Sequence, residues 1–210
     1  MPIIDIHTHI LPSSSEALYC LPSDLSDVPD TCYCSAGIHP WNAGSSEDLI
    51  SKLASVASAQ NVLAIGECGF DRLRGPSLAI QEKVFTAQFL ISERLQKPMI
   101  LHIVKSSDII LMMRKRLLPS LPWLIHGFRG GAVQARQLAD AGLMLSFGPD
   151  FNEEAVRSVG LGNVLLETDG HADISLVLEK VAVSLNVTPD VLSCCAAANA
   201  ARFLGISLGQ

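Results

Sequence analysis

Short apolar segments alternate with amphipathic segments along most of the chain from residue 31 onward. The amphipathic segments repeat apolar residues at helical spacing, whereas the apolar segments have the length of buried strands. Near-continuous apolar strands separated by helices are typical of a parallel sheet covered by helices. A closed barrel and an open, doubly wound sheet both satisfy this pattern. The predicted strands begin at residues 2, 31, 62, 99, 123, 143 and 164.

Side chains that can bind metal ions follow most of these strands. In a barrel the carboxyl ends of all strands meet at one mouth, whereas in an open sheet they spread along an edge. Six ligand-type residues at strand ends therefore favour the barrel. We predict an α/β fold of the TIM-barrel type and a single domain over residues 1–210. The six residues are His9, His39, Glu67, His102, His126 and Asp169.

His7 and His9 stand two residues apart at the end of the first apolar segment, so that their side chains point to the same side of an extended chain. A single histidine at such a place is more often a packed core or loop residue than a ligand. Five of the six histidines lie at predicted strand ends, and only His171 follows a strand end by several residues. Taken together, the five are better explained as a metal site.

The candidate ligands are imidazoles and carboxylates, without a thiolate. Such donors suit Zn²⁺, Mn²⁺ or Fe²⁺, with Mg²⁺ also possible. The candidates outnumber the three protein ligands that a single catalytic zinc ion uses. We therefore predict two divalent ions, Zn, Mn or Mg, about 3.5–4 Å apart and bridged by a carboxylate.

The composition excludes several other classes of protein. The net charge is −6 and the chain has no basic block, which argues against a broad surface for duplex nucleic acid. The six cysteines form no C-x-x-C pair, and this fits a reduced compartment. No apolar run approaches the roughly 18–20 residues of a membrane span. We expect a cytoplasmic protein without a membrane partner.

Six ordered motifs resemble the TatD family of metal-dependent deoxyribonucleases, within the amidohydrolase-like metal hydrolases. The resemblance runs from residue 2 to about residue 205, and Gln81, Phe85, Gln88 and Asn199 also match family positions. The DxHxH motif alone would be a weak signal, but six motifs in order are specific. They are DIHTH at 5–9, GIHP at 37–40, AIGECGFD at 64–71, PMILH at 98–102, IHGFRG at 125–130 and LLETD at 165–169.

The resemblance implies roles for the candidate ligands. His7, His9 and Asp169 would hold one ion, His102 and His126 would hold the other, and Glu67 would bridge the two. Asp169 would also accept the proton of the attacking water, so Asp169 and Glu67 are the catalytic candidates. The implied substrate is DNA or a small phosphoester. His39, Lys105 and Arg129 are candidate substrate contacts, although a structural or solvated role suits each of them equally.

The chain departs from the family pattern mainly after its first motif. Only about thirty residues separate DIHTH from GIHP, where family members carry a further strand and helix. We therefore expect an incomplete barrel of about seven strands, with residues 11–30 as a loop that plugs the gap. An apolar edge left by the missing strand would favour a homodimer. Two alternatives to a nuclease remain open, namely hydrolysis of another small ester, amide or phosphoester, and a non-catalytic metal-binding interaction protein.

Overall fold

The computed structural model describes residues 2–13, 15–170 and 173–207, apart from the side chains of residues 46 and 47. Eight strands follow one another in chain order around a closed barrel, which confirms the predicted TIM-barrel type of α/β fold. The strands are β1 Asp5–Thr8, β2 Ala17–Cys20, β3 Tyr33–Ala36, β4 Val62–Asp71, β5 Met99–Val104, β6 Trp123–Ile125, β7 Leu143–Phe147 and β8 Val164–Leu166.

Helices follow most of the strands. The described residues contain α1 Ser46–Val56, α2 Leu78–Leu95, α3 Ser107–Leu117, α4 Ala132–Asp140, α5 Glu153–Val159, α6 Ile174–Leu185 and α7 Pro189–Leu204. At the start of α7, the Thr188 hydroxyl accepts a hydrogen bond from the Val191 N–H and Pro189 opens the helix. No single helix among the described residues is long and apolar enough to cross a membrane, although α6 and α7 together, bent by 104°, pass that test of length and composition.

The expectation of an incomplete barrel of about seven strands was wrong, because the barrel is closed and an eighth strand, β2, lies inside the segment that we expected to be a loop. β2 pairs in parallel with β1, with Asp5 opposite Ala17 and Thr8 opposite Tyr19. Its four residues are too few to show an alternating pattern above the surrounding Pro, Ser and Asp, which explains why the sequence did not reveal it. The described residues between β1 and β3 contain no helix.

Contacts along the chain group it into two compact units, one comprising Met1–Tyr19 and Leu124–Gln210 and the other Cys20–Trp123. In the first unit, α4 packs against α5 and β7, and α7 packs against β8. Asn199 in α7 donates from its side-chain amide to the carbonyl groups of Leu161 and Val164, which fixes the start of β8. The core of this unit is formed by apolar side chains that are at most 1% exposed, among them Ile6, Leu145, Phe147, Leu165 and Phe203.

In the second unit, α2 carries two buried glutamines that hold the ends of two strands. Gln88 accepts from the Ile38 N–H at 2.7 Å and donates to the Ile38 carbonyl at 3.0 Å. Gln81 makes the same pair of bonds to the backbone of Asp71 at 2.8 and 2.9 Å. Because a buried amide without partners is costly, these bonds fix where the residues after β3 and at the end of β4 lie.

Candidate metal centres

The first unit brings together four of the predicted ligands in what we call the His7 cluster, formed by His7, His9, His126 and Asp169. The Nε2 atom of His7 lies 3.7 Å from Asp169 Oδ1, and that of His9 lies 3.4 Å from the same oxygen. The ring centroid of His7 is 4.3 Å from that of His126 and 4.9 Å from that of His9. His7 is fully buried, whereas the side chains of His9 and Asp169 are 46% and 27% exposed. The cluster is thus open to solvent on one side.

Asp5 fastens the end of β1 to the segment after β8 and so fixes this cluster. Its carboxylate accepts hydrogen bonds from the His7 N–H at 3.3 Å, the Thr168 N–H at 3.1 Å and the Thr168 hydroxyl at 2.8 Å. The Asp169 N–H in turn donates to the His7 carbonyl at 3.1 Å. Burial raises the pKa of Asp5 from 3.8 to about 7, although these donors act in the opposite direction.

The raised pKa of Asp5 predicts a pH dependence of stability in the metal-free protein. The folded state holds the Asp5 proton up to about pH 7, whereas the unfolded state releases it near pH 4, so the free energy of unfolding falls as the pH rises through this window. Relative to the Asp5→Asn variant, the wild type should lose on the order of 2–4 kcal/mol between pH 4 and pH 7.5. Urea unfolding in chelator at several pH values measures this difference. The exposed Asp27 gives a matched control, Asp27→Asn, which should follow the wild type, and parallel curves for wild type and Asp5→Asn would contradict the prediction.

Sequence reasoning missed Glu167, which contacts His126 of the His7 cluster. It is fully buried, its Oε2 atom accepts from the Ser146 hydroxyl at 2.5 Å, and its Oε1 atom lies 3.5 Å from Nδ1 of His126. Burial raises the pKa of Glu167, but His126, His7 and Ser146 together outweigh burial and hold it below its usual range. We therefore expect an ionised carboxylate that orients the His126 ring. The only sequence signal was a charged residue in an otherwise apolar strand end.

The second unit contains the His39 cluster, formed by His39, Glu67 and His102. The Glu67 Oε1 atom lies 2.6 Å from Nδ1 of His102 and 3.3 Å from Nε2 of His39. The other ring nitrogen of His39, Nδ1, accepts from the Trp41 N–H at 3.2 Å, so that Nε2 is the atom directed at Glu67. The side chains of Glu67, His39 and His102 are at most 16% exposed. His39, predicted as a substrate contact, thus lies next to the candidate ligand Glu67.

Two glycines allow β4 to approach β5 at this cluster. A Cβ atom on Gly69 would lie 2.2 Å from the His102 carbonyl oxygen, and one on Gly66 would lie 2.5 Å from the Ile100 carbonyl oxygen. Both residues also have positive φ angles, 143° and 156°. The glycines around Glu67 therefore permit the close strand pairing that carries His102 to Glu67.

Asp71 contacts His102, a member of the His39 cluster. It is 3% exposed and accepts from the Trp41 indole N–H at 2.6 Å and from two backbone N–H groups, those of Leu73 and Arg74. Burial acts to raise the pKa of Asp71, but these donors and the neighbouring His102 outweigh burial and lower it. Its Oδ2 atom lies 3.5 Å from Nε2 of His102. The His102 ring thus has one carboxylate at each nitrogen.

The chemistry of both clusters suits divalent metal ions. In the His7 cluster, one ligand atom from each of His7, His126 and Asp169 lies within 4.8 Å of the others, and the same holds for the three members of the His39 cluster. Bonds of about 2.0–2.2 Å from one ion to imidazole nitrogen and carboxylate oxygen need only a small contraction of such groups. The residues present therefore fit one ion in each cluster.

The remaining predicted contacts lie outside these clusters. Lys105 is exposed, and its carbonyl accepts from the Arg72 guanidinium at 2.7 Å. Arg129 lies 3.5 Å from Asp150, both side chains being mostly exposed, at a cleft of about 70 Å³ that also reaches Asp169. His171 lies outside the described residues.

Comparison with known proteins decides the family of the chain. The family model described as TatD related DNase matches residues 21–205. The chain belongs to this family. Among curated relatives, a 3'-5' ssDNA/RNA exonuclease TatD from Pectobacterium atrosepticum is 35% identical over 120 residues, covering 56% of this chain and 46% of the relative. A deoxyribonuclease Tat-D from Schizosaccharomyces pombe is 30% identical over 159 residues, covering 66% and 51%.

The chain thus spans about half the length of the curated TatD relatives that it matches. Among solved structures, the TatD homologue YJJV from Escherichia coli K12 has a TM-score of 0.79 at 19% identity and covers 98% of both chains. A TatD family hydrolase from Entamoeba histolytica also gives 0.79, at 12% identity, covering 96% of this chain and 97% of the other. At these identities the two structures support the fold.

Proposed function

We propose that this TatD family chain is a metal-dependent hydrolase that cleaves phosphodiester bonds in single-stranded nucleic acid, DNA in the first place. The observation that carries the proposal is the presence of two clusters of imidazole and carboxylate ligands at strand ends, the His7 cluster and the His39 cluster. Relatives named as nucleases support the substrate class. This reaction needs no nucleophilic side chain from the protein.

Each cluster would hold one divalent ion, Zn, Mn or Mg. Ions bound there supply a water activated at neutral pH and positive charge for the phosphoryl oxygens. His7, His126 and Asp169 would hold one ion, with His9 beside them, and Glu67, His102 and His39 would hold the other. The resemblance implies a second arrangement, in which Glu67 bridges both ions and His126 serves the same ion as His102; zinc positions in a crystal would decide between the two arrangements.

Asp169 is the residue that would take the proton of the attacking water. It is the partly exposed carboxylate of the His7 cluster, so that solvent and substrate can reach it, and its backbone is fixed by the bond to the His7 carbonyl. Its distances of 3.4 and 3.7 Å to the Nε2 atoms of His9 and His7 support this role beside the candidate ligands of one ion. A base at this position removes a proton where the water is held.

Three further parts of the proposal concern the domain, the cellular compartment and the assembly of the protein. We propose that residues 1–210 act as one catalytic domain, that the protein works in the cytoplasm, and that a homodimer is its assembly. The six cysteines, all of them free thiols in the structure, agree with a reducing compartment. Gel filtration with light scattering tests the dimer directly.

The assay that tests the function uses three substrate types with chelated protein reloaded with Mg²⁺, Mn²⁺ or Zn²⁺. Single-stranded DNA should be shortened, EDTA should stop the reaction and added metal should restore it. Cleavage only of a small carboxylic ester or small phosphoester would replace the proposal with the broader hydrolase. No turnover of any substrate with any of the metals would favour a non-catalytic metal-binding protein.

A further inference from the structure

We propose that Trp41 is the stacking platform for a nucleobase of the substrate beside the His39 cluster. This inference rests on the proposed function and adds that the protein contacts the bases of its nucleic acid substrate. Trp41 follows GIHP and lies in the short 3₁₀ helix Pro40–Ser45. Its side chain is 44% exposed, whereas the other tryptophan, Trp123, is fully buried. An exposed indole next to candidate catalytic groups is unusual for a ring whose only role is packing.

The ring of Trp41 is held directly against the cluster. Its centroid lies 4.6 Å from that of His39 at an interplanar angle of 78°, and 5.9 Å from that of His102. A base stacked on this indole would therefore place the adjoining phosphodiester within reach of Glu67 and its histidines. Phe70, in the AIGECGFD motif, is fully buried and packs on Phe85, so it offers no such surface.

The indole is also fixed in orientation before any ligand binds. Its N–H donates to the buried Asp71 carboxylate at 2.6 Å, and Asp71 is itself held by two backbone N–H groups. A ring that cannot rotate loses little conformational entropy on stacking, which favours its use as a platform. Exposed tryptophans without such a bond have no comparable constraint.

Arg74 completes the platform with a positive charge. Its guanidinium carbon lies 4.9 Å from the centre of the Trp41 ring, and the residue is exposed. Bases stack on guanidinium planes as well as on aromatic rings, and the charge attracts the phosphate backbone. The chain is acidic overall and has no basic block. It can therefore contact single-stranded nucleic acid locally, through one aromatic ring paired with one cation.

The test compares Trp41→Leu with wild type on two strands of equal length and charge, one of thymidines and one abasic. Base stacking predicts that the variant raises KM for the thymidine strand about tenfold or more, changes kcat less than about threefold, and leaves KM for the abasic strand unchanged. Leu73→Ala, at a 70% exposed residue of the loop between β4 and α2 that carries Arg74, is the matched control and should resemble wild type. Equal losses on both strands, or no loss on either, would overturn the proposal.

A binding measurement separates this inference from the proposed function. In the Mg²⁺-loaded Asp169→Asn variant, the thymidine strand should quench the emission of Trp41, and the buried Trp123 serves as an internal reference. Quenching that persists after Trp41→Phe, or its absence in the parent variant, would contradict the inference. If the strand quenches Trp41 while wild-type protein never cleaves DNA, the proposed function fails and the stacking platform stands. If Trp41→Leu cleaves DNA normally with an unaltered KM, the stacking platform fails and the proposed function stands.

Discussion

The Asp169→Asn variant is expected to lose about 10²–10⁴-fold in kcat on single-stranded DNA, because it removes the group that we propose as acceptor of the proton of the attacking water. Asparagine keeps the size of the side chain and, like aspartate, tolerates the positive φ of 53° at this position. The variant should therefore fold like the wild type. Alanine would add backbone strain and confuse the result.

The measurement is the rate of oligonucleotide shortening at saturating substrate and metal, with the melting temperature as a check on folding. Asp190→Asn, at an exposed residue in the first turn of α7, is the matched control and should retain wild-type kcat. Activity of Asp169→Asn within about threefold of wild type would show that another group takes the proton. Equal activity in every variant would point to a contaminating nuclease.

Glu67→Gln is expected to weaken metal binding at the His39 cluster by about 100-fold or more and to lower kcat with it. Glu67 is the only carboxylate in that cluster, and both histidines are directed at its Oε1 atom. A neutral amide there removes the charge that balances a divalent ion, and changes even to groups behind the ligands cost about 10–100-fold in affinity. The His7 cluster keeps its own carboxylate, so one ion should remain bound.

Calorimetric titration of the metal-free protein with Zn²⁺ measures the effect. Wild type should bind two ions and Glu67→Gln one ion in the same concentration range, whereas Glu179→Gln, at an exposed position in α6, should bind two. Two undiminished binding events in Glu67→Gln would remove Glu67 from the ligand set. Loss of both events would mean that the clusters do not bind independently.

The sequence allowed the fold to be predicted and the candidate ligands to be located at strand ends, because both depend on short-range patterns. Apolar strands of the right length, followed by histidine or carboxylate, locate the strand ends, and a barrel brings such ends to one mouth. The four-residue strand β2 escaped because an element of that length has no periodicity of its own and is defined by its pairing with β1. Pairing is a tertiary property that no local pattern reports.

The supporting groups were harder to predict than the ligands. Glu167 acts through its burial and through Ser146, twenty-one residues earlier in the chain. Asp71 accepts a hydrogen bond from the Trp41 indole thirty residues away. Both carboxylates resemble ordinary strand-end residues in the sequence, and only the folded chain shows that each is directed at a histidine ring, Glu167 at His126 and Asp71 at His102.

The central claim is that the His7 and His39 clusters each bind a divalent ion, and anomalous scattering from crystals grown with Zn²⁺ tests it most directly. We predict two peaks, one bonded to His7, His126 and Asp169 and one bonded to Glu67, His102 and His39, with ligand distances of about 2.0–2.2 Å. Crystals without a peak at either cluster, or with zinc bound only elsewhere on the protein, would contradict the claim.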